Sequence, residues 1–121
     1  MIFKSLIGNL LILSQVICYG QNLVLNEIMA DNETCIRDED GDYPDWIEIY
    51  NAGIDTLNLN GYHLSDEPEE PLKWAFPAIT IHPQGHVFLF ASGKNKTGQL
   101  FIHTNFSLDS EDETILLSNP Q

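Results

Sequence analysis

The sequence predicts an all-β fold, an antiparallel sandwich of two packed sheets. Three observations carry that prediction. Beyond residue 21 the chain runs as about eight or nine short apolar stretches separated by turn residues, the spacing of a sandwich. β-branched and aromatic residues dominate those stretches. No stretch repeats apolar residues at i, i+3, i+4 and i+7 over the length of a helix.

The elements follow in order. Leu23 to Met29 is the first expected strand, followed by a long acidic loop from Ala30 to Asp45. Trp46 to Tyr50 is the second; alternation sends Trp46, Glu48 and Tyr50 one way, Ile47 and Ile49 the other. Asn51-Ala52-Gly53 turns the chain. Leu57 and Leu59 alternate with Asn58 and Asn60, Gly61 marks a bend or a left-handed path, and Tyr62 to Leu64 continues the strand. Ser65 to Pro71 is a polar loop, Lys73 to Phe76 a short strand stopped by Pro77, and Ile79 and Ile81 alternate before the His82-Pro83-Gln84-Gly85 turn. His86 to Ala91 is the most hydrophobic strand. Ser92 to Gly98 is a polar loop, and Leu100 to His103, Phe106 to Leu108 and Glu113 to Ser118 complete the set. Large groups such as Trp46, Trp74, Phe88 and Phe90 are expected to supply much of the core burial. The last strand, followed by Asn119-Pro120-Gln121, is expected either to leave an open sheet edge or to pair with a strand beyond the sequence.

The amino terminus reads differently. Lys4 supplies a positive start, Leu6 to Ile17 is mostly apolar, and Cys18-Tyr19-Gly20 follows, the layout of a signal peptide spanning 1–20 with cleavage after Gly20. The mature domain is then 21–121. Lipidation at Cys18 is the weaker alternative, because bulky Ile17 precedes it. Cleavage leaves Cys35 as the only cysteine and permits no internal disulfide. A secreted or cell-surface location follows, with no membrane insertion after processing.

The 121 residues carry 18 Asp and Glu against 5 Lys and Arg, a formal net charge of −13. Such a surface repels the phosphate backbone and offers few cations to displace its counterions, so nucleic acid is excluded as a partner, as are anionic membranes. The acids gather in two places. Asp38, Asp40 and Asp42, with Glu39, Gly41 and nearby Asp45, alternate on a glycine-bearing loop that suits a hard cation such as calcium. The EF-hand pattern fails there, because position four from Asp38 is Gly41 and position twelve is Ile49. A solvated acidic loop is the plainer account, and no metal ligand is assigned. Asp66, Glu67, Glu69 and Glu70 form a second solvated patch. His63, His82, His86 and His103 show no zinc spacing, and no serine lies in a nucleophile elbow. No catalytic residue, cofactor-binding residue or cofactor is therefore expected, and the chain is not expected to be an enzyme. Asn32-Glu33-Thr34, Asn95-Lys96-Thr97 and Asn105-Phe106-Ser107 are glycosylation sequons if the host glycosylates.

Several clusters also stand in one order. They are Leu25-Asn26-Glu27-Ile28-Met29-Ala30, Gly41 through Asn51, Leu59 through Asp66, Lys73-Trp74-Ala75-Phe76-Pro77, Ala91-Ser92-Gly93-Lys94, and His103 through Leu108. In that joint order the chain resembles the lamin tail domain in its bacterial, exported form, from about Leu23 onward. The resemblance implies an immunoglobulin-like sandwich lacking its last strand or strands, with no catalytic residues to carry over. It also implies an accessory or interaction module within a larger extracellular or cell-surface protein, with a protein or glycan surface as partner. A calcium-stabilised carbohydrate-binding sandwich is the first alternative. An accessory domain of a secreted hydrolase, or of a spore-coat-like kinase, is the second.

Overall fold

The structure, a computed structural model, describes residues 2–7, 10–15, 22–98, 100–108 and 113–120, with backbone alone at 2–7, 10–15 and 113. Its strands are β1 (Ile2–Ile7), β2 (Leu10–Gln15), β3 (Leu23–Met29), β4 (Asp45–Asn51), β5 (Leu57–Asn58), β6 (His63–Ser65), β7 (Trp74–Ala75), β8 (Thr80–Ile81), β9 (His86–Ala91) and β10 (Glu113–Ser118). Among the described residues there is no helix, and so none long and apolar enough to cross a membrane.

One sheet has the order β3-β4-β9, a second β2-β1-β10-β6-β7, and β5 pairs with β8 in a small third. Every ladder is antiparallel. Leu23, Leu25, Ile47, Ile49 and Leu89 from the first sheet meet Leu64, Trp74, Ile115 and Leu117 from the second, with Leu59, Phe76, Ile81 and Phe106 filling between. Most of these side chains are fully buried, and two stacked sheets around one apolar layer make an immunoglobulin-like sandwich.

The expected alternation on β4 holds. Ile47 and Ile49 enter the core, while Trp46, Glu48 and Tyr50 lie on the opposite face. That register corrects one expectation. Trp46, Phe88 and Phe90 do not fill the space between the sheets; they stack with one another on the outward face of β4 and β9. The inter-sheet aromatics are Trp74, Phe76 and Phe106. Leu100 to His103 and Phe106 to Leu108 make no ladder either. They touch β9 through single bridges, Phe90 with His103 and Ser92 with Ser107. The first bridge is parallel and the second antiparallel, so the chain reverses between them and the two cannot join into one ladder; the Thr104 hydroxyl donates to the Phe106 carbonyl at 2.7 Å within that reversal.

Two turns show their cause directly. Buried Asn51 donates its amide to the carbonyls of Asp55, Ile81 and His82 and accepts from the Gly53 N–H, which ties the β4 turn to the β8 end. Gly61 has φ +88°, a left-handed path that favours glycine, and a Cβ there would crowd Pro120 at 3.1 Å.

The segment read as a leader contributes β1 and β2, and β1 pairs with β10 from Ile2↔Leu117 to Leu6↔Glu113. The β10 edge, expected either to stay open or to pair with a strand beyond the sequence, is paired with the β1–β2 hairpin. The cleavage position after Gly20 and residue Cys18 lie outside the described residues.

Candidate functional site

The acidic loop is organised around Asp38. Its carboxylate Oδ1 accepts the N–H groups of Asp40 and Asp42, both at 3.0 Å, and its own N–H donates to the Asp42 carbonyl at 2.9 Å. Gly41 at φ +85° lets the loop close on itself. This curls the alternating carboxylates toward one point, as their spacing suggested, and the residues the sequence picked out for a cation do converge.

A cation already stands there, and it belongs to the chain. The Lys94 ammonium donates to Asp38 Oδ2 at 2.5 Å, Asp40 Oδ2 at 2.7 Å and Asp42 Oδ2 at 2.9 Å. Lys96 reaches Glu39 at 3.0 Å and Asp40 at 2.9 Å. The Asp38 side chain is 0% exposed and that of Lys94 25%, so the central pair is shielded while its rim is wet. The charges answer one another. Burial pushes the Asp38 pKa up, but Lys94 and the two loop N–H groups outweigh it and hold it below the ordinary value. Glu39 is drawn down to about 2, first by its backbone N–H and then by His103 and Lys96. Asp40 is drawn down to about 2 by Lys94 and then Lys96. Burial works against the Lys94 charge, yet three carboxylates raise its pKa well above the usual lysine value.

The lysines are delivered by the turn after β9. Ser92 Oγ accepts the Lys94 N–H at 3.1 Å, the Gly93 N–H bonds the Phe106 carbonyl, and Gly93 and Asn95 take left-handed φ of +75° and +52°. His103 locks the same junction. Its ring is 0% exposed, stacks on Phe90 at 5.2 Å, and meets Ser92 Oγ through Nδ1 at 2.8 Å and Glu39 Oε2 through Nε2 at 2.9 Å. The Glu39 carboxylate only accepts, so Nε2 carries the proton of that bond. Hydroxyl, imidazole and carboxylate stand in the order of a hydrolytic relay. In this setting each is held by a second bond or by burial, and together they fasten the loop to the end of β9. Sequence reading scattered the histidines and missed both His103 and Lys94. Lys94 lies 56 residues from Asp38, and no local pattern links them.

Beside the lysine is an open depression of about 300 Å³, lined by Asp42, Tyr43, Pro44, Asp45, Ser92 and Lys94 among others. Burial raises the Asp45 pKa, although the N–H of Asn32 donates to its carboxylate at 2.9 Å. Asn32 itself is buried, and its amide donates to the carbonyls of Ile36 and Pro44, both at 2.9 Å. The first sequon is thus tied into the loop, whereas Asn95 and Asn105 are exposed. Cys35 is exposed as a free thiol. The second acidic patch is anchored by Lys73, which bridges Asp66 at 2.8 Å and Glu67 at 2.6 Å.

Neither a curated protein nor a solved structure matches the chain. The family comparison covers β3 to β10, the Asp38–Asp42 loop and the turn that brings Lys94 to it. Residues 19–121 match the family model for the Lamin Tail Domain, and the chain belongs to that family.

Proposed function

We propose that this chain is an exported, non-catalytic binding module of an extracellular or cell-surface protein, docking a protein or glycan partner. Membership in a family of non-enzymatic immunoglobulin-like domains supports the coarse part of that reading. One observation supports the binding part. The groups with chemical potential near the loop are bonded to one another, while an aromatic sheet face remains partly open. Lys94 occupies the carboxylate focus and His103 uses both ring nitrogens. Outward on β4 and β9, Tyr50 stacks on His86 at 4.7 Å and Phe88 is only half-buried. Aromatic faces of this kind give large contact area at low entropic cost. Export rests on the layout of residues 1–20.

The calcium-stabilised alternative loses ground to the lysine, because its ammonium stands where a hard cation would collect the three aspartates. The test is a glycan array and a panel of immobilised peptides, each probed with the full chain and with Phe88→Ala, in calcium and in chelator. Retention on one class, weakened by Phe88→Ala and indifferent to calcium, supports the proposal. Turnover of a chromogenic ester that disappears in Ser92→Ala, or failure to bind either class, sinks it.

A further inference from the structure

The outward face of β3, β4 and β9 is laid out by register in three rows. Met29, Trp46 and Phe90 form the first; Glu27, Glu48 and Phe88 the second; Val24, Tyr50 and His86 the third. The crossing segment covers the first row, since Phe101 and His103 both pack on the Phe90 ring. The other two rows stay accessible: Glu27 and His86 are exposed, and Val24, Glu48, Tyr50 and Phe88 are half-buried.

The middle row is electrostatically odd. Glu27 and Glu48 are direct cross-strand partners, and like charges in that position oppose the pairing. A bulge between Leu25 and Glu27 brings in Asn26, whose amide donates to Glu48 Oε1 at 2.6 Å. His86 Nε2 stands 3.8 Å from Glu48, too far for a hydrogen bond. The described cations are all engaged elsewhere: Lys73 with Asp66 and Glu67, Lys94 and Lys96 with the acidic loop, Arg37 over the Tyr43 ring. Two carboxylates thus share a row with half-buried Phe88, with Trp46 in the row on one side and Tyr50 stacked on His86 in the row on the other, and no Lys or Arg among the described side chains answers them.

A planar guanidinium fits this arrangement. It stacks on aromatic faces and grips a carboxylate through two parallel N–H bonds, which an ammonium cannot do. We propose that the outward face of β3, β4 and β9, centred on Glu27, Glu48, Phe88 and Tyr50, docks an arginine-bearing extended segment of a partner protein. This rests on the binding-module reading and names its partner class. The net charge of −13 draws such a segment in from a distance, and the acid pair within its aromatic setting selects where it stops.

The experiment uses the full chain and a capped hexapeptide of alternating serine and arginine, with a counterpart carrying neutral citrulline at each arginine. Isothermal titration is expected to show binding of the arginine peptide and a loss of about tenfold or more with citrulline. The double variant Glu27→Gln/Glu48→Gln should lose about tenfold, whereas Glu69→Gln/Glu70→Gln, which removes the same charge far from this face, should lose little. Phe88→Ser should also weaken binding, with melting curves confirming that each variant is folded. Equal losses in the two double variants, or equal binding of the arginine and citrulline peptides, overturns the proposal by reducing it to bulk charge. Glycan retention that Phe88→Ala weakens, with no arginine-peptide binding, overturns this inference while leaving the binding module standing. Silence of both probes removes both.

Discussion

Asp38, Asp40 and Asp42 converge on a lysine, whereas Glu27 and Glu48 face each other across two strands without one. Both regions are acidic and both come from the same excess of carboxylates. In the first, the fold spends its scarce cations to close a loop onto the end of β9. In the second, repulsion is left standing on a flat, aromatic, half-open surface. Neutralised acids are structural, their burial offset by the lysine and the loop N–H groups, while acids left in fixed register without a Lys or Arg are what a partner can use.

The sharpest way to break that comparison is to remove the internal cation. Lys94→Met leaves the buried Asp38 carboxylate beside two others. It should lower stability by about 2 kcal/mol, toward the small end for a broken pair because the ammonium is 25% exposed. Denaturant titration measures this. The variant should regain part of the loss in millimolar calcium, and the natural chain should show no calcium-dependent shift. A shift in the natural chain would mean that Lys94 does not occupy the site.

His103→Phe comes next. It keeps a ring against Phe90 but deletes both hydrogen bonds, and should cost about 1 kcal/mol by the same measurement. An unchanged midpoint would remove the histidine from the clamp.

Acid should open the loop selectively. Glu39 and Asp40 have folded pKa values drawn down to about 2 from 4.5 and 3.8. A depressed carboxylate contributes stability that is fully present above its unfolded value and fades as pH falls toward its folded one. Melting temperature should therefore decline between about pH 4.5 and 2. Glu39→Gln should flatten that decline, and an unaltered acid limb in the variant would deny the latch its role. Lys94 works with the opposite sign. Its raised pKa contributes stability below the ordinary value of 10.5 that disappears only as pH rises through the folded one.

The smallest effect has the most telling sign. Glu27→Gln relieves the cross-strand repulsion and should stabilise the chain by about 0.5 kcal/mol while weakening arginine-peptide binding. Destabilisation by this change would show that the two carboxylates are not in conflict.

Much of the architecture was readable from residues alone. Alternation at Ile47 and Ile49, the turn at Asn51 and the glycine at position 61 are local requirements of backbone geometry, and each reappears in three dimensions. The convergence of the aspartate loop was only the second reading of its spacing: a solvated loop was the plainer account, yet the Asp38 side chain is 0% exposed because its carboxylate takes the N–H groups of Asp40 and Asp42. What occupies its centre was not legible. Nor was the side on which the aromatics lie: alternation places Trp46, Phe88 and Phe90 on one face without saying whether that face meets the other sheet.

The sequence by itself therefore determined most of the strands between Leu23 and Ala91, the turns between them, the absence of helical periodicity and the surplus of negative charge, since these depend on neighbours a few residues apart. Only the tertiary structure decided that Lys94 neutralises Asp38 from 56 positions away and that Glu27 lies opposite Glu48 with no Lys or Arg among the described side chains beside them. Both outcomes are set by which strands pair and in what register, and electrostatic energy follows distance in space, to which separation along the chain is no guide.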